Sequence, residues 1–282
     1  MKKTKLYLNY AGYCWANENE AIKGGRRLKV KFHALWGIIQ HPEKGWILYD
    51  TGYTSRFFDE TRRFPNKIYA LATKVILTPE EEIKAQLIAN GISPDEIKHV
   101  IITHFHADHI AGLKDFPNAT FYTSKKALEH TLKLPRSLAF AKGVLKGLLP
   151  ADLAERTFII DKNCTKVSDT HFGYKYDLFG DESIYIYELP GHAAGQIGIR
   201  IETINNKYFL IADACWFKKS FEEYVLPSQI VRLFFHSWKE FKQTLKKLQQ
   251  FHIDNQDVII VPTHCTETTS PLVQNQINFD VL

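Results

Sequence analysis

Cysteine is scarce in this chain: Cys14, Cys164, Cys215 and Cys265 stand far apart, and none is spaced as CxxC. That excludes a disulfide framework and fits free thiols in a reducing compartment. Long apolar runs are also missing. No stretch approaches the roughly 18 residues that a membrane span needs, and Leu6–Tyr10, behind the basic Met1–Lys5, is too short and polar for a signal-peptide core. A soluble, cytoplasmic protein is expected. Blocks of like charge are absent, the net charge of +5 arising from 36 basic and 31 acidic residues spread along the chain. Such a balance tolerates an anionic ligand but is not the footprint of a nucleic-acid binder. Nor is there a Pro/Gly/Ser-rich linker, so 1–282 is expected to be one domain. With 45% hydrophobic residues it can bury a large core.

What is present is concentrated in Thr103-His104-Phe105-His106-Ala107-Asp108-His109. Three imidazoles and a carboxylate follow directly on His99–Ile102, whose β-branched content reads as a buried strand. Side chains two apart in an extended segment point the same way, so His104 and His106 can grip one metal ion. A helical turn beginning at Ile110 would aim Asp108 and His109 at a neighbouring point. A chance match to this pattern is expected on the order of one time in a thousand. A merely polar surface turn gives histidines no reason to cluster there.

Elsewhere the chain alternates strands and helices. Leu28 to Ile39 and Trp46–Asp50 form a hairpin about His41–Gly45; Asp50, before Thr51-Gly52, either closes a turn or accepts a proton from a metal-bound histidine. Residues 57–77 read as a flap with a short helix. Thr78-Pro79-Glu80-Glu81 is a capping box expected to open a helix that ends at Gly91. A strand at 119–122 and a helix at 124–132 follow. Residues 134–154 form an amphipathic insert that fits a pocket wall, a dimer face, a membrane-surface helix or an ordinary core helix. Residues 183–189 are a strand leading to Gly191-His192. A second hairpin, 197–213, ends in Asp213 and echoes the one ending in Asp50, suggesting a duplicated half. A second capping box at Ser237–Glu240 opens a helix, and the strand 258–262 delivers Thr263-His264.

Four positions thus share one context, a His or Asp immediately after an apolar strand. His104, His106 and His192 would hold one ion and Asp108, His109 and His264 a second, with Asp213 bridging. HxHxDH followed in order by Gly191-His192, Asp213 and Thr263-His264 resembles the metallo-β-lactamase superfamily over essentially the whole chain, and Asp50-Thr51-Gly52 looks like its early strand-end motif. The resemblance implies an α+β fold, an αβ/βα four-layer sandwich of two mixed β-sheets flanked by helices, with a binuclear hydrolase site. Within the superfamily the chain is most similar to the N-acyl homoserine lactone lactonases, in Lys5-Leu6-Tyr7 to Ala11-Gly12, in length and around Asp213. Those enzymes carry a tyrosine three residues after the bridging aspartate; here stands Trp216, a substrate-pocket candidate whose indole N–H can donate but cannot exchange a proton.

The chemistry expected is attack of a metal-bridging hydroxide on a lactone or ester carbonyl, with Asp108 as the catalytic group that carries the proton to the leaving alcohol. Nitrogen and carboxylate donors suit zinc first, and also manganese, iron or cobalt. Cys215 and Cys265 read as packing. The expected partner is a small-molecule substrate, with a homodimer left open. The rivals are a phosphodiesterase, which needs a basic track where these lysines look dispersed, and a thioesterase, which needs a C-terminal region longer than the 18 residues after His264.

Overall fold

The computed structural model describes residues 3–274 and 276–277. Among them thirteen strands form two sheets. The first contains β1 (Lys5–Asn17), β2 (Lys29–His41), β3 (Gly45–Tyr49), β4 (Val75–Ile76), β5 (His99–Ile101), β6 (Thr120–Thr123) and β7 (Thr157–Ile159), in the order β4-β1-β2-β3-β5-β6-β7. The second contains β8 (Thr165–Asp169), β9 (Gly173–Asp177), β10 (Ile184–Glu188), β11 (Ile197–Glu202), β12 (Lys207–Ala212) and β13 (Val258–Pro262), in the order β13-β12-β11-β10-β9-β8. Both sheets are mixed: β3, β5, β6 and β7 run parallel, as do β12 and β13, while the hairpins β2–β3 and β11–β12 are antiparallel.

Burial of both faces explains why these strands read as continuous apolar runs rather than simple alternation. Ile39, Ile47, Tyr49 and Ile101 of the first sheet meet Ile184, Ile186, Ile199 and Leu210 of the second in a core between the sheets. The intervening residues face outward: Ile38, Leu48 and Val100 pack with Ile83, Leu87, Ile110 and Leu128. On the far side, Tyr187, Phe209 and Ile211 pack with Phe241, Leu245, Leu248 and Phe251 of the helix Trp238–Asp254. Helix, sheet, sheet and helix are therefore four layers, as the resemblance implies. Each hairpin has a later strand lying parallel beside its second member, β5 beside β3 and β13 beside β12, although β4 intervenes in the first half.

Three local expectations are corrected. The capping box at Thr78 is present, but it closes a 3-10 turn, Pro79–Glu81; Glu82 is extended and the α-helix is Ile83–Ala89. Residues 57–77 hold two short helices, Arg56–Glu60 and Lys67–Ala72, and the edge strand β4. The insert 134–154 is no continuous helix, because Pro135, Gly143, Gly147 and Pro150 break it. It forms 3-10 turns at Ala139–Lys142 and Lys146–Leu148 that bury Ala139, Val144, Leu145 and Leu148.

Candidate metal centre

The strands of both sheets end at one place. After β5 the chain leaves the sheet through Ile102 and Thr103, and His104, His106, Asp108 and His109 follow, the last two on the short helix Ala107–Ile110. His192 follows β10, Asp213 follows β12 and His264 follows β13. Ala212, at the end of β12, has φ 50°, a left-handed conformation that costs an alanine about 1–2 kcal/mol, and there the chain turns to deliver Asp213.

The seven side chains predicted as ligands converge. One nitrogen from each of His104, His106 and His192 lies within 4.8 Å of the others, and one donor each from Asp108, His109 and His264 does the same. Asp213 reaches both groups, its Oδ1 lying 3.4 Å from His109 Nε2 and its Oδ2 3.1 Å from His264 Nε2 and 3.3 Å from His192 Nε2. Asp108 Oδ2 is 3.4 Å from both His109 Nε2 and His264 Nε2. His106 Nδ1 faces His192 Nε2 at 2.9 Å.

This arrangement fits divalent ions on its own chemistry. His104 Nε2, His109 Nε2 and Asp213 Oδ1 are buried without a hydrogen-bond partner, a costly state that a shared cation relieves. Burial, reinforced by neighbouring imidazoles, holds His104 well below the ordinary histidine value and His192 down at about 3, so both present neutral lone pairs. Burial opposes ionisation of Asp108 and Asp213, but His109 and His264 outweigh it; Asp108 falls to about 2 and Asp213 lies well below the usual carboxylate range. Burial likewise disfavours charge on His109, yet Asp108 and Asp50 together hold it well above the ordinary value. Two carboxylates thus hold negative charge in the buried pocket, facing His109 and His264, whose values they raise.

Behind the centre, Asp50 is completely buried. It accepts hydrogen bonds from Thr103 N–H at 2.9 Å, Thr103 Oγ1–H at 2.8 Å and His109 Nδ1–H at 2.7 Å. Of its two readings from sequence, this geometry has Asp50 orienting the imidazole and pinning the turn at once. His264 is oriented by groups that sequence reasoning missed. Its Nδ1–H donates to the His33 carbonyl at 2.9 Å, and Phe32 stacks on its ring with centroids 4.7 Å apart. A backbone acceptor leaves no side-chain signal. Cys215 and Cys265 are buried and lie outside the three ligand groupings.

A cavity of about 560 Å³ opens over the centre. Its floor carries His106, Asp108, His192, Asp213 and His264, and its walls are mostly apolar. Ile68, Tyr69 and Ala72 from the flap and Phe140 from the insert contribute, as do Cys14–Asn17, Val231 and Phe234, which were not foreseen. Trp216 also lines it, but its Nε1–H donates to Asp213 Oδ2 at 3.1 Å. The indole N–H therefore steadies a candidate ligand. Gly143 lets the insert lie close to the centre: at φ +73°, a Cβ there would fall 2.5 Å from His106 Cδ2.

A family model described as the metallo-beta-lactamase superfamily matches residues 31–264. Over 256 residues the chain is 25% identical to an N-acyl homoserine lactonase of Bacillus thuringiensis, covering 88% of this chain and 90% of that one. It is 27% identical over 193 residues to the N-acyl homoserine lactonase AttM of Rhizobium radiobacter, covering 67% and 66%. A crystal structure of a B. thuringiensis AiiA mutant with N-decanoyl-L-homoserine at its active site superposes with a TM-score of 0.74 at 20% identity, over 96% of this chain and 97% of that one. AidC, a dizinc quorum-quenching lactonase, superposes with a TM-score of 0.65 at 16% identity, over 94% and 88%. At such identities the structural likeness is one of fold. With the family model covering most of its length, this chain belongs to the metallo-β-lactamase superfamily.

Proposed function

We propose that the chain is a single hydrolase domain that holds two divalent ions, zinc first, and opens the ring of N-acyl homoserine lactones or similar acyl lactones in a reducing, cytoplasmic setting. The observation that carries this reading is the seven-donor cluster on the floor of an apolar cavity. It is supported by relatives named as N-acyl homoserine lactonases and by folds that hold N-hexanoyl- and N-decanoyl-L-homoserine.

When bound, the metal pair supplies an activated water and a Lewis-acidic surface for a carbonyl oxygen. The remaining work falls to the chain's own groups. Asp108 is anionic and lines the cavity, so it can take the proton released as water attacks and return it to the leaving alkoxide. The walls exclude water from the acyl chain, and Trp216 holds Asp213 in place.

An apolar wall makes chain length the test. Each CH₂ buried is worth about 0.8 kcal/mol, so kcat/KM across a series of acyl homoserine lactones is expected to rise roughly fourfold per CH₂ until the cavity is filled. The phosphodiesterase rival predicts no such slope. Among the described lining residues Lys142 is the only lysine or arginine, which is poor provision for a phosphate track. Flat length dependence, with faster turnover of a nitrophenyl phosphodiester than of any lactone, would replace the lactonase reading.

A further inference from the structure

The charge that looks dispersed along the sequence is not dispersed in the structure. Three stretches that line the cavity, 61–79, 130–151 and 224–239, together contain ten lysines and arginines and no aspartate or glutamate. The remainder of the chain is left with 26 basic against all 31 acidic residues. The stretches also meet one another. Arg63 and Phe64 share an open surface depression with Arg136, and the helix Lys67–Ala72 packs on the turn Ala139–Lys142. Val231 and Phe234 line the same cavity as Ile68 and Phe140.

The same stretches expose large apolar side chains. Phe64, Leu71 and Leu138 belong to the first two stretches and Ile230, Leu233 and Phe234 to the third, with Leu71 65% and Leu233 78% exposed. The same stretches carry exposed cations. Arg62 pairs with Asp59 and Lys133 with Glu129, but Arg63, Lys74, Arg136, Lys142 and Arg232 have no acidic partner among the described residues. The acids that reach the cavity come from outside these stretches, Asp108 and Asp213 on its floor and Glu20 on the short helix Glu18–Ala21, and Asp59 and Glu60 share the depression beside Arg63 and Arg136. Exposed apolar side chains around an opening mark an interaction surface, and cations interleaved with them narrow the partner to an anionic one with an apolar interior.

We propose that the rim of the cavity docks on an anionic lipid surface, with its leucines and phenylalanines entering the headgroup layer and its lysines and arginines meeting lipid phosphates. The mouth then faces the bilayer, and an acyl-bearing substrate dissolved in lipid enters the cavity without crossing bulk water. A second copy of the chain is a poorer occupant. Two-fold pairing would set this cationic face against itself, and like charges across an interface repel. The proposal concerns the surface and holds whichever acyl ester the centre cleaves.

The test is sedimentation of the full metal-loaded chain with vesicles of phosphatidylcholine alone or with one-third phosphatidylglycerol. Binding is expected to be at least about tenfold tighter to the anionic vesicles, and to weaken as salt screens the rim. Leu71→Glu with Leu233→Glu should lower it by a further factor of at least about ten, while metal content and turnover of a short, water-soluble lactone stay unchanged. Neither residue lines the cavity. Should that variant fold poorly, Arg63→Glu with Arg232→Glu tests the charge side in the same way. Absence of sedimentation, equal binding to neutral vesicles, or undiminished binding by the variants would each overturn the proposal. So would a wild-type dimer dispersed by Leu71→Glu/Leu233→Glu without vesicle binding, which would assign the face to a second copy. Vesicle binding without lactone turnover would retire the substrate reading alone.

Discussion

Asp213→Ala is expected to release at least one metal ion per chain and to lower lactone turnover by about a thousandfold or more. The size of the effect follows from position. Its two oxygens touch different histidines, Oδ1 facing His109 and Oδ2 facing His192 and His264, so one substitution reaches both groups of ligands. Removal leaves five imidazoles, four of them buried, with Asp108 as the one remaining carboxylate among the seven. Asp213→Asn separates charge from shape, because the amide keeps an oxygen acceptor but not the negative charge. Elemental analysis beside turnover reads both. An Asp213→Ala protein that kept two ions per chain would deny the bridging role.

Asp50→Ala is expected to cost about 3–5 kcal/mol of stability, a charge-bearing network being broken in a fully dry site. Three donors lose their acceptor at once: the Thr103 N–H, the Thr103 hydroxyl and His109 Nδ1–H. His109 also loses the group that fixes which nitrogen faces the centre, so metal affinity should fall by roughly 10–100-fold. Denaturant unfolding of metal-free protein measures the first effect, and competition against a chromophoric chelator the second. Unchanged affinity with lowered stability would reduce Asp50 to a turn-closing residue.

The residues that converge at the centre were legible because their signal is local. Each is a His or Asp at the end of a strand apolar on both faces, and HxHxDH concentrates four of the seven within six positions. The four-layer architecture was not legible from spacing and came only with the resemblance. Other features failed for identifiable reasons. The insert 134–154 carries a helical pattern of apolar residues, yet two prolines and two glycines outweigh it. Trp216 lines the cavity, but only the fold shows its N–H turned to Asp213. The cationic rim was invisible because its members lie in three stretches widely separated along the chain. In linear order each lysine looks like an ordinary solvated charge.

The centre draws on both sheets, and this sets an order of events in the life of the chain. His104 and His106 come from the first sheet and their companion His192 from the second; Asp108 and His109 likewise wait for Asp213 and His264. A ribosome that has delivered only the first half has made a cluster of histidines but no complete site for either ion. The last candidate ligand lies beyond β13, so assembly must wait until nearly all of the described chain has emerged and β13 has docked beside β12. Under the proposed function, loading with metal would thereby report completed folding, and a chain truncated before residue 264 is expected to lack activity however well its first sheet has formed.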